Sequence, residues 1–148
     1  MRTLALRRQH DAALDLVNDI MAATPASGQI ETIAAYRIGL NLAKLTGLLR
    51  IHFAQEDKAL YPLMTASAYP EAAVLATGFQ REMGGLAPAY FEFAKRWAAS
   101  AAIASDSDGF RRDCAAIFGV LDERIRRENE ELYPLADQIT ASMIRSVA

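Results

Sequence analysis

The sequence predicts an all-α fold, an up-down-up-down antiparallel four-helix bundle with a two-fold internal repeat. Three observations lead there. Apolar residues recur at the 3.6-residue helical period through four long stretches. No strand-like alternation or hairpin turn interrupts them. Part of the second stretch returns seventy-two residues later, where Ala43, Gly47, Leu49, Glu56, Leu60, Tyr61, Pro62 and Leu63 recur as Ala115, Gly119, Leu121, Glu128, Leu132, Tyr133, Pro134 and Leu135. Eight identities in twenty-one positions, without a gap and with one Gly pair and one Pro pair among them, exceed what helical composition bias yields.

The first helix is expected from Leu4 to about Ala23, on a stripe of Leu6, Ala13, Leu14, Val17, Ile20 and Met21 that also carries His10. Thr24-Pro25-Ala26-Ser27-Gly28 stops it, and Ser27 is a candidate N-cap for the second helix. That helix begins near Gln29 or Ile30 and reaches Met64, with a kink expected at Pro62. Pro70 suits a helix start. Val74, Leu75, Phe79, Leu86, Tyr90, Phe93 and Trp97 mark the third helix, whose middle Gly84, Gly85 and Pro88 weaken or bend. Ser100 to Gly109 reads as the clearest loop and supplies N-cap candidates for a last helix from about Phe110 to Ile144.

At 148 residues, 52% hydrophobic, with 8 Gly and 5 Pro, the chain fits a single domain over residues 1–148 with one real core. A net charge of −2 with no long run of like charge gives no nucleic-acid tail; Arg7-Arg8, Arg111-Arg112 and Arg126-Arg127 read as solvated faces. The one cysteine, Cys114, excludes an internal disulfide and a CxxC motif and fits a reducing compartment. No apolar run approaches the ~18 residues of a membrane span, and Leu4 to Leu6 is too short for a signal peptide. The expectation is a soluble, cytoplasmic protein without membrane or nucleic-acid partners.

The chemistry gathers around His52 and Glu56, four residues apart and therefore one helical turn apart on one face. Leu45, Leu48, Leu49, Leu60 and Leu63 share that face, which makes it the buried one. A buried carboxylate needs a partner or takes up a proton, and a bound cation is one such partner. Arg124 and Glu128 point inward in the second copy, so His52 maps onto a guanidinium that cannot ligate a cation. The same offset sets His10 on Glu82. His10, His52, Glu56, Glu82, Arg124 and Glu128 are expected to meet near one level of the bundle, with Tyr61 and Tyr133 as packing residues whose hydroxyls face outward.

A His on the first helix, His52-x3-Glu56 followed by Leu60-Tyr61-Pro62 on the second, and a second copy of this layout together resemble the hemerythrin-like, or HHE cation-binding, family over essentially the whole chain. The resemblance implies a non-haem di-iron centre, bridged by carboxylates and capped by several histidines, and association with dioxygen or nitric oxide binding and iron handling. It makes His10, His52 and Glu56 ligands, with Glu128 as the second bridging carboxylate. The family's helix-three histidines are absent here, where Glu82 and Met83 stand, and its helix-four histidine is Arg124. Half of the nitrogen ligands are therefore missing. The set implied is one divalent cation, iron by resemblance with zinc or manganese chemically acceptable, on two nitrogens and two oxygens. Neither histidine has the Glu three residues before it that a ferritin-like site uses. His52 also lacks the surroundings of a phosphotransfer histidine.

Two functions follow. One is metal binding or sensing without turnover. The other is a metal-free scaffold in which Arg124 pairs with Glu56 and Glu128, and the charges of Glu56, Glu82 and Glu128 balance those of Arg124 and two protonated histidines. Such a scaffold would form a homodimer or bind a partner through an exposed apolar face. No nucleophile-base pair or Gly-rich phosphate loop supports hydrolase or kinase chemistry.

Overall fold

The computed structural model describes residues 2–147. Helix α1 spans Leu4–Ala23, α2 Thr32–Gln55, α3 Tyr61–Thr65, α4 Pro70–Arg96, α5 Ser100–Ser105, α6 Ser107–Arg127 and α7 Tyr133–Val147, and no strand occurs among the described residues. Helix α1 ends because Pro25 drives Thr24 to extended backbone (φ −95°, ψ 113°). Gly28 then turns the chain at φ +82°, a value that glycine adopts without a Cβ clash. Helix α2 starts at Thr32, two or three residues later than expected, with Glu31 and not Ser27 at its N-cap.

Ser100 to Gly109 is not a loop. Ser100–Ser105 forms α5, because an Ala-rich segment with good helix propensity buries Ile103 against the main core. Asp106 breaks the path at φ −136° and caps α6 by accepting a hydrogen bond from Gly109 N–H at 3.0 Å. Helix α4 runs unbroken through Pro88.

Pro62 and Pro134 act by a route other than a simple kink. Two five-residue π-helical turns, Glu56–Leu60 and Glu128–Leu132, are each inserted into the helical path before a Tyr-Pro-Leu segment. Tyr61 N–H bonds back to the Glu56 carbonyl and Tyr133 N–H to the Glu128 carbonyl, five residues away instead of four. The wider ladder lodges a proline that has no N–H and whose ring would strike the carbonyl four residues back. The two turns lie seventy-two residues apart.

Burial divides the interior into two apolar cores. The larger includes Ala13, Val17, Leu49, Phe53, Met83, Leu121 and Ile125. The smaller includes Leu6, Leu60, Tyr61, Phe79, Leu132 and Tyr133. Along α1, and along α2 and α6 where each meets its π-helical turn, the chain passes from one core to the other through buried polar residues: His10, then His52 and Glu56, then Arg124 and Glu128. A polar layer is thus sealed between apolar ones, where every unpaired group is costly. No helix among the described residues is long and apolar enough to cross a membrane.

Candidate metal centre

His10, His52, Glu56 and Glu128 converge: each offers a ligand atom, and these atoms all lie within 4.8 Å of one another. All four are buried, Glu56 completely. His10 Nε2 stands 3.1 Å from His52 Nε2 and 3.0 Å from Glu128 Oε1. His52 Nε2 stands 3.4 Å from Glu56 Oε1 and 3.7 Å from Glu128 Oε1. The helical spacing of His52 and Glu56 places that pair on one face, as the sequence predicts.

The orientation of both imidazoles is set by amides. His10 Nδ1–H donates to Asn129 Oδ1 at 2.8 Å, and His52 Nδ1–H donates to Gln9 Oε1 at 2.7 Å. Gln9 donates in turn to Gln55 Oε1 at 2.8 Å. Because amide oxygens only accept, each ring holds a proton on Nδ1 and turns Nε2 inward, where it donates to Glu128 when the ring is protonated and offers a lone pair when it is neutral. Neither Asn129 nor Gln9 emerges from the sequence, since each is simply the neighbour of a ligand and follows no spacing rule.

Tyrosines complete the centre, and here the sequence expectation is corrected. Tyr133 and Tyr61 are fully buried, and their hydroxyls point inward. Tyr133 donates to Glu56 Oε2 at 2.9 Å, and its oxygen lies 3.1 Å from His10 Nε2 and 3.5 Å from His52 Nε2. Tyr61 accepts from Arg124 at 3.0 Å. Tyr133 thus reaches His52, and Tyr61 reaches Arg124. The π-helical turn is the cause, because it rotates the residue after it away from its α-helical bearing. The signal in the sequence was the Tyr-Pro pair following each glutamate.

Glu82 is corrected as well. It stays at the rim with its side chain half exposed, bridging Arg124 at 2.9 Å and Arg127 at 2.7 Å. Met83 occupies the buried position on α4. Arg124 does turn inward, with only 5% of its surface exposed. It donates to the Phe79 carbonyl at 2.6 Å, lies over the Phe79 ring at 4.3 Å and stands 3.6 Å from Glu128 Oε2. Its ionic partners are Glu82 and Glu128, not Glu56.

Electrostatics follow from this packing. Burial, reinforced by the Glu128 charge, pushes Glu56 well above the carboxylate range, so without a cation it keeps a proton. Burial also acts to raise Glu128, but hydrogen bonds with Glu56, His10 and His52 outweigh it and hold that carboxyl well below the usual range. Burial lowers His52 below the ordinary imidazole value. The balance of three carboxylates against three cations therefore does not hold: Glu56 is neutral, His52 is driven toward neutrality and Glu82 lies outside.

These residues fit one cation. Two inward Nε2 atoms only 3.1 Å apart, faced by a carboxylate oxygen, line a pocket that one cation can share. Glu56 Oε1, 3.4 Å from His52 Nε2, is buried without a hydrogen-bond partner, while the unpartnered Glu128 Oε2 faces Arg124. An orphaned acceptor of this kind needs a proton or a shared positive charge. The residues do not fit two cations, because the guanidinium of Arg124 stands beside Glu128 and Met83 offers no nitrogen.

The model of the hemerythrin HHE cation binding domain matches residues 3–136. No curated protein and no solved structure matches the chain significantly. With nearly its whole length covered, the chain belongs to the hemerythrin HHE cation-binding domain family.

Proposed function

We propose that this protein binds a single metal cation, iron by family resemblance, through His10, His52, Glu56 and Glu128, and that its role is binding or sensing rather than turnover. The observation that carries the reading is the pair of imidazole Nε2 atoms 3.1 Å apart, each with its Nδ1–H already committed. We propose with it an up-down-up-down four-helix bundle with two related halves, one domain over residues 1–148, and a cytoplasmic location.

The roles divide among the residues. His10 and His52 donate nitrogen, and Asn129 and Gln9 fix which nitrogen faces the site. Glu56 and Glu128 donate oxygen, Glu56 by giving up its proton. Arg124 neutralises the side of the pocket where a second ion would otherwise lie. The apolar layers above and below exclude water. A bound cation would supply Lewis acidity and exchangeable positions for a small ligand, with dioxygen and nitric oxide the ones the family suggests.

Metal analysis of protein purified without a metal-affinity step tests the reading. About one equivalent of metal in the parent and loss in His52→Ala is expected. No stoichiometric metal after supplementation with iron, zinc or manganese would overturn it.

A second reading rests on Arg124 and on the neutral Glu56: the polar layer can be charge-balanced without metal, and the domain would then be a scaffold. Ile33, Tyr36, Leu40 and Ile51 leave apolar surface exposed along α2, where a partner or second copy would dock. Metal-free protein that retains full stability under chelator and elutes as a dimer or complex would favour it.

A further inference from the structure

We infer that Tyr133 is a fifth metal donor, and that its phenolate makes this site one for ferric iron. The inference rests on the single-cation reading above and adds a ligand that the HHE pattern of histidines and carboxylates does not contain.

The argument is geometric. Donor atoms that share one ion at about 2.0–2.2 Å stand roughly 3 Å from their neighbours around it. The Tyr133 oxygen lies 2.9 Å from Glu56 Oε2, 3.1 Å from His10 Nε2 and 3.5 Å from His52 Nε2. Separations among the four other donors run from 3.0 to 3.7 Å where they are adjacent. Tyr133 thus stands among the donors as they stand among themselves. A tyrosine serving only to hold Glu56 would need one such contact, not three.

Position and chemistry agree. The π-helical turn Glu128–Leu132 sets Tyr133 five residues after Glu128 with its backbone bonded to the Glu128 carbonyl, so ligand and tyrosine are carried by one rigid segment. Its ring stacks on His10 at 5.1 Å between centroids, with 16° between planes, and Arg7 lies over its outer side at 5.4 Å. Tyr61, the matching residue of the other copy, is held by Arg124 and lies outside the donor set. One tyrosine of the two is therefore free to ligate.

On binding, the Tyr133 O–H bond is replaced by an O–metal bond, and its proton and that of Glu56 leave to solvent. Two carboxylates and a phenolate then supply three negative charges. That total matches a trivalent ion, and phenolate oxygen is a hard donor suited to it. Two neutral imidazoles complete a set of two nitrogens and three oxygens, leaving Arg124 as the barrier to a second ion.

The test is to load apo-protein with iron(III) supplied as a weak chelate, then measure bound iron, visible absorption and resonance Raman spectra. The expected result is one equivalent of iron, a phenolate-to-iron charge-transfer band in the visible, and tyrosinate modes enhanced on exciting in that band. Tyr133→Phe, checked for folding by circular dichroism, should lose the band and weaken ferric affinity on the order of 10–100-fold. Tyr61→Phe should keep the band. Stoichiometric ferric protein without tyrosinate modes would overturn the inference while leaving the cation site standing, as would a band that survives Tyr133→Phe. Protein that takes up no iron in any oxidation state would instead remove the cation site and this inference together. The Raman spectrum of the parent decides the matter even if the variant fails to fold.

Discussion

Arg124 Nε stands 3.6 Å from Glu128 Oε2, and neither atom has a hydrogen-bond partner. That separation exceeds a hydrogen bond but is well within the range of an ion pair. The guanidinium is held slightly away from the carboxylate by its stronger attachments to Glu82, Tyr61 and the Phe79 carbonyl. Glu128 Oε2 is left as an acceptor with a neighbouring charge but no proton, which suits a carboxylate shared between a cation on one side and an arginine on the other.

Removing the guanidinium therefore exposes a buried carboxylate to an apolar interior. Arg124→Ala should destabilise the metal-free protein by about 3–5 kcal/mol, the cost typical of breaking one side of a buried ion pair. Added iron or zinc should restore part of the loss, because a ligand that binds only the folded state stabilises it. Thermal melts of parent and variant, each with chelator and with excess metal, measure both effects. Equal melting under chelator would show that the pair contributes nothing.

Arg124→His puts an imidazole where the guanidinium was, beside Glu128 and facing Tyr61. Metal uptake should rise above that of the parent but stop short of two equivalents, since Met83 fills the buried position on α4 with a thioether. Metal content against protein concentration reads this directly. Two full equivalents would mean that the missing helix-three nitrogen is dispensable.

The convergence of His52, Glu56 and Glu128 was legible because helical phase carries it: a four-residue spacing fixes His52 beside Glu56, and the seventy-two-residue offset carries Glu56 onto Glu128. The tyrosines were not. At about 100° per residue, a residue five positions past a glutamate lies about 140° away on an α-helical wheel, which puts Tyr61 and Tyr133 on the far side. The π-helical turns bring them back, and a constant-period reading cannot register that change of phase. Glu82 failed for a related reason. The offset matches residues, whereas the inward position on α4 belongs to Met83, and the length of Arg124 lets it reach a partner at the rim. Ser100–Ser105 was hidden by its serines, which read as loop until Ile103 is seen buried.

Cys114 gives a pH dependence that can be measured without metal. Burial, with a smaller contribution from the charge of Asp113, pushes its thiol up to about 12, against about 8.5 for an exposed cysteine. A raised folded-state value means that the contribution to stability is fully present below about 8.5 and is lost as pH rises toward about 12. At pH 8 the native protein should therefore resist iodoacetamide, while urea-unfolded protein reacts rapidly through its thiolate. Native labelling at the unfolded rate would show that the core around Cys114 opens readily.

Asn129 and Gln9 touch no ion, yet they decide which imidazole nitrogen faces the site. Asn129→Leu removes the acceptor for His10 Nδ1–H and frees the ring to adopt the other tautomer or to rotate. Gln9→Leu does the same to His52. Each should lower metal affinity 10–100-fold, the usual cost of losing such an orienting partner. Both residues are only partly buried, so the fold should persist. Asn129→Asp separates orientation from mere packing. A carboxylate still accepts from Nδ1–H and adds negative charge behind the ring, so affinity should stay at or above that of the parent, while Asn129→Leu falls. Competition titrations against a chelator of known affinity give the three values. If Asn129→Leu binds as tightly as the parent, packing against Tyr133 alone holds His10 in place, and the amide is incidental.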